Sequence, residues 1–185
     1  MTGNLSSETS MNFRELWQAG LSYPQFVAAA DPIHRGLWEG VYRLAKVPQW
    51  AVTASGTESR HFLALAEDWC GDAVNTLPIV ARWVESVPGF DFRLLRRDEN
   101  PEVMDRYLTN GARSIPIVIA LDAAFHELGH WGPRPRELQE WVMANRTTMP
   151  KAERYKEVRR WYAADRGQSA IREVMQAAAL PAPVP

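Results

Sequence analysis

The middle of the chain switches hydrophobic period several times, and that switching limits the fold more than any other feature. Phe62 to Ala66 is a short apolar run of the kind shown by a strand buried on both faces. From about Cys70 to Val87 the spacing becomes helical, with Val74, Leu77, Val80, Ala81 and Val84 on one face and Pro78 placed to kink it. Phe90 to Leu95 reads as a second strand. Asn100-Pro101 opens a helix, with Asn at the cap and Pro at the first position, and Asn110-Gly111 closes it. Ile115 to Leu121 is a third strand and Phe125 to Trp131 a fourth. After Gly132-Pro133, a helix runs from about Pro135 to Arg146. Alternation of strand and helix ends in a hairpin. The predicted architecture is α/β, a mixed sheet with helices on both faces.

The flanks read as helical additions. Phe13, Leu16 and Trp17 lie at helical spacing, as do Ile33, Leu37, Val41 and Leu44, and both stripes are expected to pack on the rest. Beyond Pro150, Tyr155, Val158 and Tyr162 share one face, and Ile171, Val174, Met175 and Ala178 another. The expected organisation is a helical extension over residues 1–49, a central domain over 50–146, and a helical extension and tail over 147–185. The tail LPAPVP is expected to be disordered.

Composition excludes several classes. With 185 residues, the chain corresponds to about 1.2 domains of roughly 150 residues. Twenty-one basic and 22 acidic side chains leave a net charge of −1, so no global basic field recruits nucleic acid. The strongly apolar run at 115–121 is far short of the roughly 20 residues of a membrane helix. No signal peptide is visible in the first ten residues, and a cytoplasmic location is expected. The lone cysteine, Cys70, excludes an intrachain disulfide. No cofactor is implied.

Cys70 falls where the first strand gives way to the helix. Unpaired N–H groups and the helix dipole favour its thiolate there. Asp68 and Asp72 oppose ionisation, and the sequence sets no winner.

From Phe62 to about Trp141 the chain resembles the thioredoxin superfamily. Trp69-Cys70-Gly71 is similar to the start of the family's W-C-G-P-C motif, and Pro78 to the proline in its active-site helix. Arg97-Asp98-Glu99-Asn100-Pro101 resembles the D-x-N-P at the end of the next strand. Arg113-Ser114-Ile115-Pro116 resembles the loop before the family's cis-proline, and Gly132 the glycine after the last strand. The resemblance implies a thioredoxin-like fold, Cys70 as catalytic thiol, and Trp69, Gly71, Asp72, Ile115 and Pro116 as substrate-binding residues. It also implies an extended peptide lying along the cis-proline loop, with Ile115 facing it.

The departures shape the expected function. Ala73 stands where the family has its resolving cysteine, and Asp72 where it has proline. A dithiol cycle inside the motif needs two sulfurs. What remains is monothiol chemistry on a protein or small-thiol disulfide, released by an external thiol, or a redox-silent binding module. Oligomeric state is not readable.

His126-Glu127-Leu128-Gly129-His130 matches the zinc-peptidase pattern H-E-x-x-H, a distant alternative. That chemistry needs a helix, and Gly129 and Gly132-Pro133 argue against one. As a strand, the segment would hold its two histidines about 13 Å apart, using roughly 3.3 Å per residue. Arg93, Arg96 and Arg97 read as a solvated strand end, and the eight tryptophans as contacts between the central core and the added helices.

Overall fold

A computed structural model describes residues 11–182. The chain starts with α1 (Phe13–Ala19), whose first turn is capped by the Asn12 side chain accepting from Glu15 N–H. A two-residue strand β1 (Leu21–Ser22) follows, then α2 (Tyr23–Ala28), where Ser22 and Gln25 form a reciprocal capping box. Helix α3 (Pro32–Leu44) has Asp31 as its cap, and α4 (Gln49–Ala54) completes the preface. The central elements are β2 (Arg60–Ala66), α5 (Gly71–Glu85), β3 (Phe90–Arg96), α6 (Pro101–Met104), β4 (Ile117–Leu121), β5 (Glu127–Trp131) and α7 (Arg136–Ala144). Helices α8 (Lys151–Asp165) and α9 (Gln168–Ala177) end the described chain.

The sheet order is β1-β3-β2-β4-β5. β2 and β3 are parallel, with α5 as the crossover. β4 runs antiparallel to β2, and β5 antiparallel to β4. The mixed sheet flanked by helices is the predicted fold class. β2 lies at the centre because its run Phe62 to Ala66 has no polar side chain, and all five residues are fully buried. α9 packs against β4, β5 and α5, with Ile171, Val174, Met175 and Ala178 all in the core.

Several expectations need correction. The N-terminal segment is not purely helical, because β1 pairs with β3 and extends the sheet. The helix after Asn100 stops at Met104 instead of reaching Asn110. The chain turns there so that Tyr107 can bury its ring beside β5, its hydroxyl donating to Glu127 at 2.9 Å. Of the α3 stripe only Val41 packs against the core: Ile33 is 80% exposed, Leu37 60% and Leu44 74%, and Trp38 is the fully buried residue of the helix. In the tail, Leu180 is buried and its N–H bonds to Met175 O, so the final run is ordered at least to there. Residues 183–185 lie outside the described residues.

One glycine positions the site. Gly132 has φ of +134°, and a Cβ there would stand 2.1 Å from Pro116 O. No side chain fits between the end of β5 and the loop before β4.

Candidate functional site

The end of β2 delivers Glu67-Asp68-Trp69 into a tight turn, with Cys70 N–H bonded to Glu67 O at 3.1 Å. Cys70 is the cap residue of α5, in extended conformation, and its carbonyl accepts the first helical bond from Val74. The turn is held from beneath. Trp38 Nε1–H donates to Asp68 O at 2.8 Å, and Asp31 N–H to the Asp68 carboxylate at 2.7 Å. Glu67 accepts from Asp98 N–H at 2.9 Å. Arg96 lies 3.5 Å from both buried carboxylates and gives them a counter-charge. Arg96 is thus no solvated strand end. Arg93 also points into the protein, to the carbonyl of Trp17.

The fold brings Trp69, Cys70, Gly71, Asp72, Ile115 and Pro116 into one place. Cys70 Sγ lies 3.5 Å from Ile115 O, and the Ile115–Pro116 bond is cis. Trp69 is 51% exposed beside the thiol, with the Arg97 guanidinium 5.0 Å over its ring. Arg97 also donates to Arg113 O, so it ties Trp69 to the loop that carries Ile115. Gly71 is open to solvent.

Two of these side chains turn into the protein. Ile115 is buried in the core, so what it can offer is backbone. Among the described residues its N–H has no hydrogen-bond partner. Asp72 is buried and turned inward. It accepts from Arg134 Nε at 2.9 Å, from a second Arg134 nitrogen, and from the Tyr162 hydroxyl at 2.9 Å. Burial and the Asp72 charge push the Tyr162 hydroxyl far up, so it stays a donor.

Cys70 is 8% exposed. Burial pushes its thiol above the ordinary range. The Ala73 and Asp72 N–H groups and the Arg134 cation pull down, the Asp72 charge pushes up, and the net direction is upward. The conflict left open by the sequence is therefore decided by desolvation. Ala73, at the resolving position, is fully buried.

The peptidase alternative falls on geometry. His126 precedes β5 and His130 lies within it, so the motif is extended and not helical. His126 Nδ1 sits 3.1 Å from Asp122, and His130 Nδ1 3.4 Å from Glu127. Among the described residues no group of three His, Cys, Asp or Glu side chains could hold a metal ion.

Arg134, Tyr162, Trp38 and Arg96 were not foreseen as site residues. A cation directly after Gly132-Pro133 was the only available signal for Arg134. Tyr162 carried none beyond its helix face.

The thioredoxin family model Thioredoxin_9 matches residues 20–159. The chain belongs to the thioredoxin family. A solved protein of unknown function from Pseudomonas aeruginosa superposes with a TM-score of 0.72 at 17% identity, over 90% of this chain and 96% of that one. An HIV epitope-scaffold gives 0.72 at 16% identity, over 90% of this chain and 97% of that one. At these identities the likeness concerns the fold. No curated protein matches the chain. Among the described residues no helix is long and apolar enough to cross a membrane.

Proposed function

We propose that this protein is a thioredoxin-fold binding module that holds an extended polypeptide against the Ile115–Pro116 loop, with Cys70 as a weakly nucleophilic floor. The observation that carries this reading is the state of Cys70: buried, hydrogen-bonded to Ile115 O, and pushed toward the neutral thiol. A neutral thiol is a poor nucleophile. The unpartnered Ile115 N–H supplies a main-chain donor of the kind that pairs with an extended segment. Exposed Trp69 supplies the apolar platform beside it. The test uses an unfolded, fully alkylated polypeptide, which has no sulfur to exchange. Amide shifts at Ile115, Gly71 and Trp69 on titration, retained in Cys70→Ser, are expected. Binding that disappears in Cys70→Ser, or alkylation of Cys70 as fast as free cysteine at neutral pH, overturns the reading.

A second reading is monothiol exchange, favoured by the Ala73 and Asp72 N–H groups aimed at Cys70. The Cys70 thiolate would attack a substrate disulfide, breaking its S–S bond and expelling a thiolate that takes up a proton. An external thiol such as glutathione would then attack the mixed disulfide and return Cys70. A reducing cytoplasm would supply that thiol. Glutathione-dependent turnover lost in Cys70→Ser is the result that would select it.

A further inference from the structure

Helix α3 leaves an apolar seam facing outward. Ile33, Leu37, Gly40 and Leu44 are spaced 4, 3 and 4 residues apart, the a/d spacing of a helix pair. Ile33, Leu37 and Leu44 are the most exposed large apolar side chains on this helix, and they form a line about 16 Å long at 1.5 Å per residue. Nothing lies within 4 Å of where a Cβ would stand at Gly40 or at Gly36 beside it. Glycine is the poorest helix former after proline, and two of them in one 13-residue helix leave a shallow place where another helix can approach closely.

The spacing reads the same in both directions. A two-fold axis at the middle of α3 therefore sets Ile33 against Leu44, and Leu37 against Gly40, twice over. Such self-complementarity is what an isologous interface requires. Charge agrees with that orientation. Leu44 lines a groove of about 570 Å3 between α3, α5 and α8, together with Lys46, Arg159 and Arg166. Among the described residues these three cationic side chains have no ion-pair or hydrogen-bond partner. In an antiparallel pair the acid at the start of α3, Asp31, arrives at this basic end of the other copy.

We propose that α3 is a homodimer interface, with two copies antiparallel, Ile33 of each packed on Leu44 of the other and Leu37 of each seated over Gly40 of the other. One helix pair buries less than the roughly 1,600 Å² of a standard interface, so the dimer is weak and its population follows concentration.

Sedimentation over about a hundredfold range of concentration reads this directly. The wild type is expected to rise from the 21.0 kDa chain mass toward twice that value. Leu37→Glu, at an exposed position, should stay at the chain mass throughout with an unchanged melting temperature. Orientation is read by cross-linking in a Cys70→Ser background. Ile33→Cys mixed with Leu44→Cys should form an intermolecular disulfide on mild oxidation, and neither variant alone should do so. A wild type that remains at the chain mass, a Leu37→Glu protein that still associates, or a dominant Ile33→Cys self-link each overturns the proposal.

Discussion

Replacing Asp72 by asparagine separates charge from shape at the acid nearest the thiol. Asp72 holds three donors, two from Arg134 and one from Tyr162, and so links the start of α5 to the segment after β5 and to α8. An amide keeps the size but brings N–H groups toward the guanidinium, donor against donor. Breaking one partner of a buried ion pair costs about 3–5 kcal/mol. Arg134 retains some contact with water, which argues for the lower end, about 3 kcal/mol. For a chain of this size that is a fall of roughly 6–12 °C in melting temperature.

The thiol should respond in the opposite sense. The Asp72 charge pushes the Cys70 pKa up and Arg134 pulls it down. Asp72→Asn removes the first and leaves the second unopposed, so the pKa falls. Burial remains, so the fall is partial. Iodoacetamide labelling at neutral pH should accelerate, because a lower pKa raises the thiolate fraction. The assay is labelling rate against pH. Looser structure raises the rate and also lowers the midpoint by wetting the buried thiol, so the charge effect is the shift beyond that of a variant loosened without loss of charge. Tyr162→Phe is the control, because it removes one hydrogen bond, about 1 kcal/mol, and no charge. An Asp72→Asn midpoint that stays put or moves up refutes the electrostatic account, and unchanged stability refutes the structural one.

Ala73→Cys should place a second thiol one helical turn from Cys70 and form an intramolecular disulfide, read as two thiols before oxidation and none after. Ala73 has no exposed surface, so the reduced variant should lose about 1–3 kcal/mol by overpacking, read by chemical denaturation. Stability should decline at alkaline pH. The folded chain keeps the Cys70 proton past pH 9.0, where the unfolded chain releases it, so stability present below that value is lost as pH rises through the folded one. Tyr23, Tyr107 and Tyr162 add the same trend above 10.0, all raised by burial, and Cys70→Ser should flatten only the earlier part of the melting curve against pH. Arg96→Met should leave Glu67 and Asp68 buried without their shared cation and cost about 3 kcal/mol, against near-neutral behaviour if Arg96 were a solvated strand end.

The frame of the site was legible because it is written locally. Strand β2 is a continuous apolar run, and a run buried on both faces must sit mid-sheet. Cys70 sits at the junction because Gly71 opens a helix whose apolar face, Val74, Leu77, Val80, Ala81 and Val84, repeats without interruption. Where local signals were weak or ambiguous, the reading failed. Asn100-Pro101 marks a helix start but says nothing of length, and Tyr107 ends the helix by packing against β5, 20 residues away from Glu127. Helical spacing identified α3 correctly but assigned its whole apolar stripe to the core. Periodicity shows that a face is apolar and not what covers it.

The electrostatics of the thiol were out of reach for a different reason. Arg134 is 62 residues from Asp72 and Tyr162 is 90, and only the closed sheet and the docked α8 bring them together. Their arrival changes what the helix terminus can do. The dipole and N–H groups at the start of α5 would favour an anion at Cys70. A carboxylate two residues on already occupies that field, and its own charge is offset by Arg134 rather than by the thiol's surroundings. Cys70 is left with burial as the largest influence. The position that holds proline in the family motif thus adds its charge to the effect of burial, and the absence of a sulfur at Ala73 is matched by a first cysteine held toward its neutral form.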